Sequence, residues 1–210
     1  MGRKLYTLQV EDLNENKKIV NFLFEIGTMR KLPRIHQQLL LSQDLSDNIA
    51  THSYRVSLIA WFIAKAEKAD PYKTMMMASL HDIKEVRSGD HNYIHKKYVK
   101  IFEDEISKDQ LGDLPFSDLL EFITEFEKRE SKEAIIAKDA DLIDQMLLLK
   151  EYAHQGNKEA EIWLTGKGTD NNVNIQYQSL KTDGAKRIGK EILEGKVSEW
   201  WENIWTIKNR

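Results

Sequence analysis

The doublet His81-Asp82 is the feature of this sequence with the most direct chemical meaning. A second histidine, His52, lies far upstream, and an aspartate, Asp141, lies far downstream. Imidazole nitrogens and carboxylate oxygens are ligands for a borderline divalent metal such as Zn, Mn, Co, Ni or Fe. Two of each leave coordination positions open, as a catalytic centre needs and a closed structural site does not. The chain has no cysteine, which excludes a thiolate site. A His-Asp doublet also recurs by chance. His52 fits a capping or surface role in the first turn of a helix, and His81 fits a helix end, where positive charge is favoured. Asp82 is harder to place without a ligand. The same dipole disfavours a carboxylate there, and it follows the apolar run Met76-Met77-Ala78-Ser79-Leu80. Asp141 shares its helix with Asp139 and Asp144, and spacing alone does not choose among the three. Ala137, Ala140, Leu142, Met146 and Leu149 set Asp141 near a buried stripe, with Asp144 beside that face.

The elements that must position these residues read as helices nearly throughout. Three prolines and 10 glycines in 210 residues leave long uninterrupted segments, and no alternating strand pattern holds. The expectation is an all-α fold. A first helix covers 13–26 and ends at Gly27. Leu32-Pro33-Arg34 opens a short segment to Leu41. Asp47 is a candidate cap for a helix over 49–68 that carries His52 in its first turn. Asp70 caps and Pro71 starts the next helix, where a missing N–H costs nothing, and its pattern runs to about Val86 with His81 and Asp82 in the last turns. Ser88-Gly89-Asp90 breaks it. Further helices are expected over 94–105 and from Asp113-Leu114-Pro115 to Arg129. A long one runs from the cap Ser131 to His154 and carries Asp141. Gly166 to Asn172 reads as a flexible stretch. Amphipathic helices over 184–193 and 197–207 close the chain. Met75-Met76-Met77 reads as core filler, and Trp200, Trp201 and Trp205 as an anchor or subunit contact.

Composition narrows the function classes. A hydrophobic content of 41% over 210 residues can bury one sizeable core. The expected organisation is one domain over 1–210, with a core over about 15–155 and a helical extension over 157–210. The net charge of −3 argues against general nucleic-acid binding, which shows a basic patch. No apolar run is long enough to span a bilayer, and the first residues lack the apolar core of a signal peptide. The absence of cysteine suits a reducing cytoplasm. A small phosphorylated substrate needs only a local cluster of cations.

Three segments taken together resemble the HD-domain metal-dependent phosphohydrolases: Thr51-His52-Ser53-Tyr54-Arg55-Val56, Leu80-His81-Asp82-Ile83-Lys84-Glu85-Val86-Arg87-Ser88-Gly89-Asp90, and Ala137-Lys138-Asp139-Ala140-Asp141. They are most similar to the branch of bacterial 5′-deoxynucleotidases. Phe22-Leu23-Phe24-Glu25-Ile26-Gly27, followed by Lys31-Leu32-Pro33-Arg34, resembles the opening of that branch. The resemblance implies a helical HD-domain bundle holding one divalent transition metal on His52, His81, Asp82 and Asp141. It implies Glu85 and Asp90 as catalytic carboxylates and Arg34 as a phosphate contact. It also implies a homodimer, and hydrolysis of a nucleoside 5′-monophosphate by water activated at the metal. Another phosphate ester, or a non-catalytic nucleotide-binding module, is the alternative. The branch carries a Trp close behind the arginine, thought to crowd the sugar 2′-position. This chain has Ile35-His36-Gln37-Gln38 instead, which makes Gln37, with His36, a candidate sugar contact. Lys84 and Arg87 are expected to turn outward. His91 and His95, four apart, read as solvated or substrate-side.

Overall fold

The computed structural model describes residues 2–167, 174–202 and 204. The helices are α1 (Gly2–Ile26), α2 (Gln37–Leu40), α3 (Ile49–Glu67), α4 (Pro71–Leu80), α5 (Glu85–Ser88), α6 (Tyr93–Tyr98) and α7 (Glu103–Leu111). They continue with α8 (Asp118–Lys128), α9 (Lys132–His154), α10 (Lys158–Thr165), α11 (Ile175–Ser179), α12 (Asp183–Glu194) and α13 (Glu199–Glu202). A 3-10 turn, Gly27–Lys31, follows α1. Among the described residues the one β-type pairing is an isolated bridge between Pro33 and Asn48, so the fold is all-α as the pattern indicates.

The helices that carry the site start at side-chain caps. Asn48 accepts from the Thr51 N–H while the Thr51 hydroxyl accepts from the Asn48 N–H, a capping box that fixes the turn holding His52. Asp70 accepts from the N–H groups of Tyr72 and Lys73, with Pro71 in the first turn. Ser131 accepts from Ala134 N. Helices α3, α4 and α9 then pack through small and branched residues. Val56, Ala60, Ile63 and Ala64 meet Met77 and Ala78, and both sets meet Ile136, Ala137, Ala140, Ile143 and Met146. Truncating a residue such as Ile143 to Ala costs about 2–5 kcal/mol. Phe22, Met29, Ile49, Leu80, Ile83, Leu111 and Ile123 form a second cluster. It matters for the site because Ile49 starts the turn of His52 and Leu80 and Ile83 bracket the doublet. A third cluster, Leu40, Leu148, Leu149, Tyr152, Ala160 and Leu164, seats α2 and α10 on the far half of α9.

The C-terminal segment joins the main core through Leu180 and Ala185. Asp139 fixes its start, accepting from the N–H groups of Lys181 and Thr182 and from the Thr182 hydroxyl. Asp139 is therefore committed to structure, two residues from Asp141.

Several boundaries differ from the sequence reading, for physical reasons. The first helix begins at Gly2 rather than Leu13. The cap of α3 is Asn48, while the Asp47 carboxylate faces His36 Nε2 at 2.7 Å. Leu32-Pro33-Arg34 is extended, not helical, because Ile49 N donates to Leu32 O and Arg34 N to Asp47 O. Helix α4 stops at Leu80 instead of reaching Val86: the Ala78 carbonyl accepts from His81 Nδ1. The chain then winds through three-residue bonds, Ile83 N to Leu80 O, Glu85 N to Asp82 O and Val86 N to Ile83 O. The expected helix over 94–105 is two, α6 and α7, with Val99 extended between them. Helix α8 opens at Asp118, after Phe116 takes a left-handed φ of 72°. The helices α10 and α11 were not visible in the pattern. Most of the stretch read as flexible, and Trp205 with the end of the last expected helix, lie outside the described residues. Of the three methionines Met77 is buried, while Met76 is exposed.

Candidate metal centre

Four ligand-type atoms from three elements meet at one point. His52 Nε2 from α3 lies 3.2 Å from His81 Nε2, 3.3 Å from Asp82 Oδ2 and 3.3 Å from Asp141 Oδ1 of α9. His81 Nε2 lies 3.1 Å from Asp82 Oδ2 and 3.9 Å from Asp141 Oδ1. Ligand bonds of about 2.0–2.2 Å to one ion, separated by roughly 90–110°, would space the ligand atoms about 2.8–3.6 Å apart. His52, His81 and Asp141 form a group able to hold a metal ion, and Asp82 Oδ2 adds a fourth ligand atom.

The chemistry of the donor set fits a cation. His81 Nδ1 faces the Ala78 carbonyl at 2.6 Å, and a carbonyl only accepts, so Nδ1 carries hydrogen. His52 Nδ1 faces Asp144 Oδ2 at 2.7 Å, and that carboxylate also accepts from the Arg55 guanidinium. In their neutral form both imidazoles thus present bare Nε2 lone pairs toward each other and toward two carboxylate oxygens. Four acceptors in close contact need a cation among them. A backbone carbonyl and a carboxylate behind two histidines is the outer arrangement that fixes tautomers in metal sites. Without an ion, a proton does the same work. Burial and the Arg34 charge act to lower the His52 pKa, but the bonds to Asp141, Asp144 and Asp82 outweigh them and raise it well above the ordinary histidine value. Asp82 and Asp141 are pushed upward by burial, yet His81 and Lys138 respectively, with the further cations around them, hold both well below the usual carboxylate range.

The tight winding after α4 sets which side chains share the site. With three residues per turn, Asp82 and Glu85 lie on one edge. Glu85 lines the cleft, and its Oε2 is buried without a hydrogen-bond partner. Burial first, then the Asp82 and Asp90 charges, push its pKa up to about 9. Gly89, at φ 78°, makes the turn that folds Asp90 back. Asp90 Oδ2 accepts from Ile35 N at 2.8 Å and lies 3.6 Å from Arg34 Nε. Arg34 Nη1 donates to Asp82 Oδ2 at 2.9 Å. The cleft around this group has a volume of about 810 Å³. Beyond the charged end its lining includes Tyr93 and Trp163, with ring centroids 6.2 Å apart, and the amides of Gln145 and Gln176.

Of the residues singled out by sequence, the structure brings together His52, His81, Asp82, Asp141, Glu85, Asp90 and Arg34. Gln37 is turned away. Its amide donates to Asp44 O and Asp47 O and accepts from Asp44 N, so it clasps the loop after α2 and does not line the cleft. His36 lines the cleft but is engaged by Asp47. Lys84 does not turn outward: in the tight turn it follows His81 by three residues, and its buried ammonium bridges Glu103 and Glu127. Arg87 does reach outward, to Glu25. His91 lines the cleft with His95 edge-on behind it at 5.8 Å. The sequence reading missed the cleft cations Lys138 and Arg129, and the more exposed Lys96 and Lys167. Lys138 binds Asp141 Oδ2 at 2.7 Å, and its spacing of three residues on a helix was the available signal.

The same architecture occurs in solved structures. A conserved hypothetical protein from Pyrococcus furiosus superposes with a TM-score of 0.66 at 21% identity, covering 84% of this chain and 99% of that one. A protein from Pyrococcus horikoshii gives 0.64 at 21% identity, covering 83% and 96%. A predicted metal-dependent phosphohydrolase from Magnetospirillum magnetotacticum gives 0.64 at 20% identity, covering 86% and 94%. At these identities the likeness speaks for the fold. A search of curated protein sequences finds no match. The family model described as HD domain matches residues 27–181, a span that contains every residue of the site, and the chain belongs to the HD-domain family.

Proposed function

We propose that the protein is a metal-dependent phosphohydrolase that cleaves the phosphomonoester of a nucleoside 5′-monophosphate, with His52, His81, Asp82 and Asp141 holding the ion. The observation that carries this reading is the convergence of four acceptor atoms, each histidine fixed from behind, beside Arg34 and the unpartnered Glu85. The naming of a structural neighbour as a predicted metal-dependent phosphohydrolase supports it. A bound divalent ion supplies Lewis-acid polarisation of a phosphoryl oxygen and lowers the pKa of water. The remaining steps belong to the chain. Arg34 presents a planar guanidinium suited to paired phosphate oxygens. Asp90 holds the Arg34 loop through Ile35 N. Glu85, with its Oε2 buried and free to bond, moves a proton between the water and the leaving oxygen. A flat base fits the aromatic end, where Tyr93 and Trp163 offer stacking faces and Gln145 and Gln176 offer amides.

The test is phosphate release from nucleoside mono-, di- and triphosphates and a simple aryl phosphate, with Mn, Co, Ni and Zn each supplied. Monophosphates are expected to turn over best. Release only from triphosphates would move the reading to a different ester, and no release with any metal-loaded sample would replace it with a binding module.

A further inference from the structure

The cations lining the cleft are not alike. Arg34 is answered by Asp82 and Asp90, Lys84 by Glu103 and Glu127, and Lys138 by Asp141. Lys96 and Lys167 are exposed to water. Arg129 belongs to neither group. Its Nη1 is buried and makes no hydrogen bond, and no carboxylate among the described residues lies within ion-pair distance of it. Its neighbour Glu127 is occupied by Lys84. What holds Arg129 is stacking: the guanidinium carbon sits 3.3 Å from the centroid of Phe126, whose ring packs edge-on against His81 with centroids 5.6 Å apart. Its backbone ends α8 in a left-handed conformation, φ 55°, at a position that favours glycine. The chain thus keeps an arginine where the backbone favours glycine, half-buries it, and leaves its Nη1 desolvated without an acceptor. Buried charged donors are ordinarily paired, because an unmade bond to such a group is costly.

We propose that Arg129 is a second phosphate-binding residue of the cleft, taking an oxygen of the substrate phosphoryl group. Arg34 approaches the His81-Asp82 doublet through Asp82, and Arg129 approaches it through the Phe126–His81 stack. The two guanidinium groups come from different elements, the loop before α3 and the end of α8, and clamp the group between them. Stacking fixes the plane of the Arg129 fork without using its N–H groups, which a lysine cannot reproduce. This assignment rests on the phosphohydrolase reading for its substrate, but the anion site itself is testable without turnover.

The experiment is calorimetric binding of inorganic phosphate to the metal-loaded protein, wild type against Arg129→Gln and Arg129→Lys, with metal content and urea midpoint measured on each. The expected result is a roughly 10- to 100-fold weaker phosphate affinity for Arg129→Gln, the size of one charge-assisted bond, with metal content unchanged. Arg129→Lys should recover part of it. In Arg129→Ala, added guanidinium ion should restore part of the rate, which a merely structural role would not allow. An Arg129→Gln affinity within about twofold of wild type, or no phosphate binding by wild type, overturns the proposal. If Arg129 governs phosphate affinity but no nucleotide is hydrolysed, the assignment stands and the functional reading fails. If nucleotides are hydrolysed and phosphate affinity ignores Arg129, the reverse holds.

Discussion

Replacing Asp144 with Asn separates the residues proposed to hold the metal from the one that aims them. Asp144 Oδ2 accepts from His52 Nδ1 at 2.7 Å, and its other oxygen accepts from Arg55, so the carboxylate lies behind the imidazole and not beside the four converging atoms. The amide keeps the shape and loses the charge that makes His52 a better ligand. A hydrogen bond to a charged group contributes about 1.5–3 kcal/mol, and loss of such an outer partner weakens metal binding by roughly 10–100-fold. Asp144→Asn should fall in that range in a competition titration with a metallochromic chelator, with about one ion still bound at saturation. The protein should also lose stability, with a sign set by pH. Burial pushes the Asp144 pKa up, but His52 and Arg55 outweigh it and hold it below the ordinary 3.8. A depressed carboxylate stabilises the fold above its unfolded value and loses that contribution as pH falls through its folded value. In metal-free protein the difference in urea stability between wild type and Asp144→Asn is therefore largest near neutral pH and shrinks below about pH 4. A metal affinity within about threefold of wild type would refute the outer role, and a loss beyond about a thousandfold would make Asp144 a direct ligand.

Other outcomes follow from the same geometry. Glu85→Gln should keep its metal and lose roughly 10²–10⁴ in kcat, read by metal analysis and steady-state kinetics on one preparation; a rate within a few-fold of wild type would remove Glu85 from proton transfer. With no Trp behind Arg34 and Gln37 committed to the loop after α2, neither a wall nor an amide reads the sugar there. AMP and dAMP should therefore differ by less than about tenfold in kcat/KM, and a hundredfold deoxy preference would show that another residue supplies the wall. Tyr54, Leu58 and Phe62 are exposed at four-residue spacing along α3, and light scattering should give twice the 24.5 kDa chain mass, with a monomer at micromolar concentration as the contrary result.

The strong local signals translated directly into structure. Asp70-Pro71 and Ser131 start helices where their side chains can take orphan N–H groups, and Gly89 turns the chain where its φ demands it. The His-Asp doublet, His52 and Asp141 meet because α3, α9 and α4, whose end leads straight into the doublet, form the main core. Elsewhere one side chain outbid the backbone pattern. His81 takes the carbonyl of Ala78, the helix tightens, and Lys84 swings inward although its place in an α-helix points it out. Nothing in the local sequence announces that bond. Asp139 and Asp144 could not be told from Asp141 by spacing, since their partners, Thr182 and His52, are 43 and 92 residues away. Gln37 stands away from the cleft because its amide, at the start of α2, is taken by Asp44 and Asp47 of the loop that follows, and nothing in its spacing shows that.

The small clasp at Pro33 and Asn48 bears on how the cleft admits a molecule. Ile49 N bonded to Leu32 O and Arg34 N bonded to Asp47 O tie the arginine loop to the first turn of α3, one residue after another. Arg34 and His52 are thereby carried on a single rigid piece, and Asp90 staples the turn after the doublet to that piece through Ile35 N. Arg34, His52 and the turn after the doublet cannot drift apart without breaking these bonds. Breathing of the cleft is left to the short helix α6, which bears Tyr93 and buries none of its residues, whereas α10 is seated on α9. The end that would grip a phosphate is fixed in advance, and the end that would accommodate the rest of the molecule is the one free to adjust.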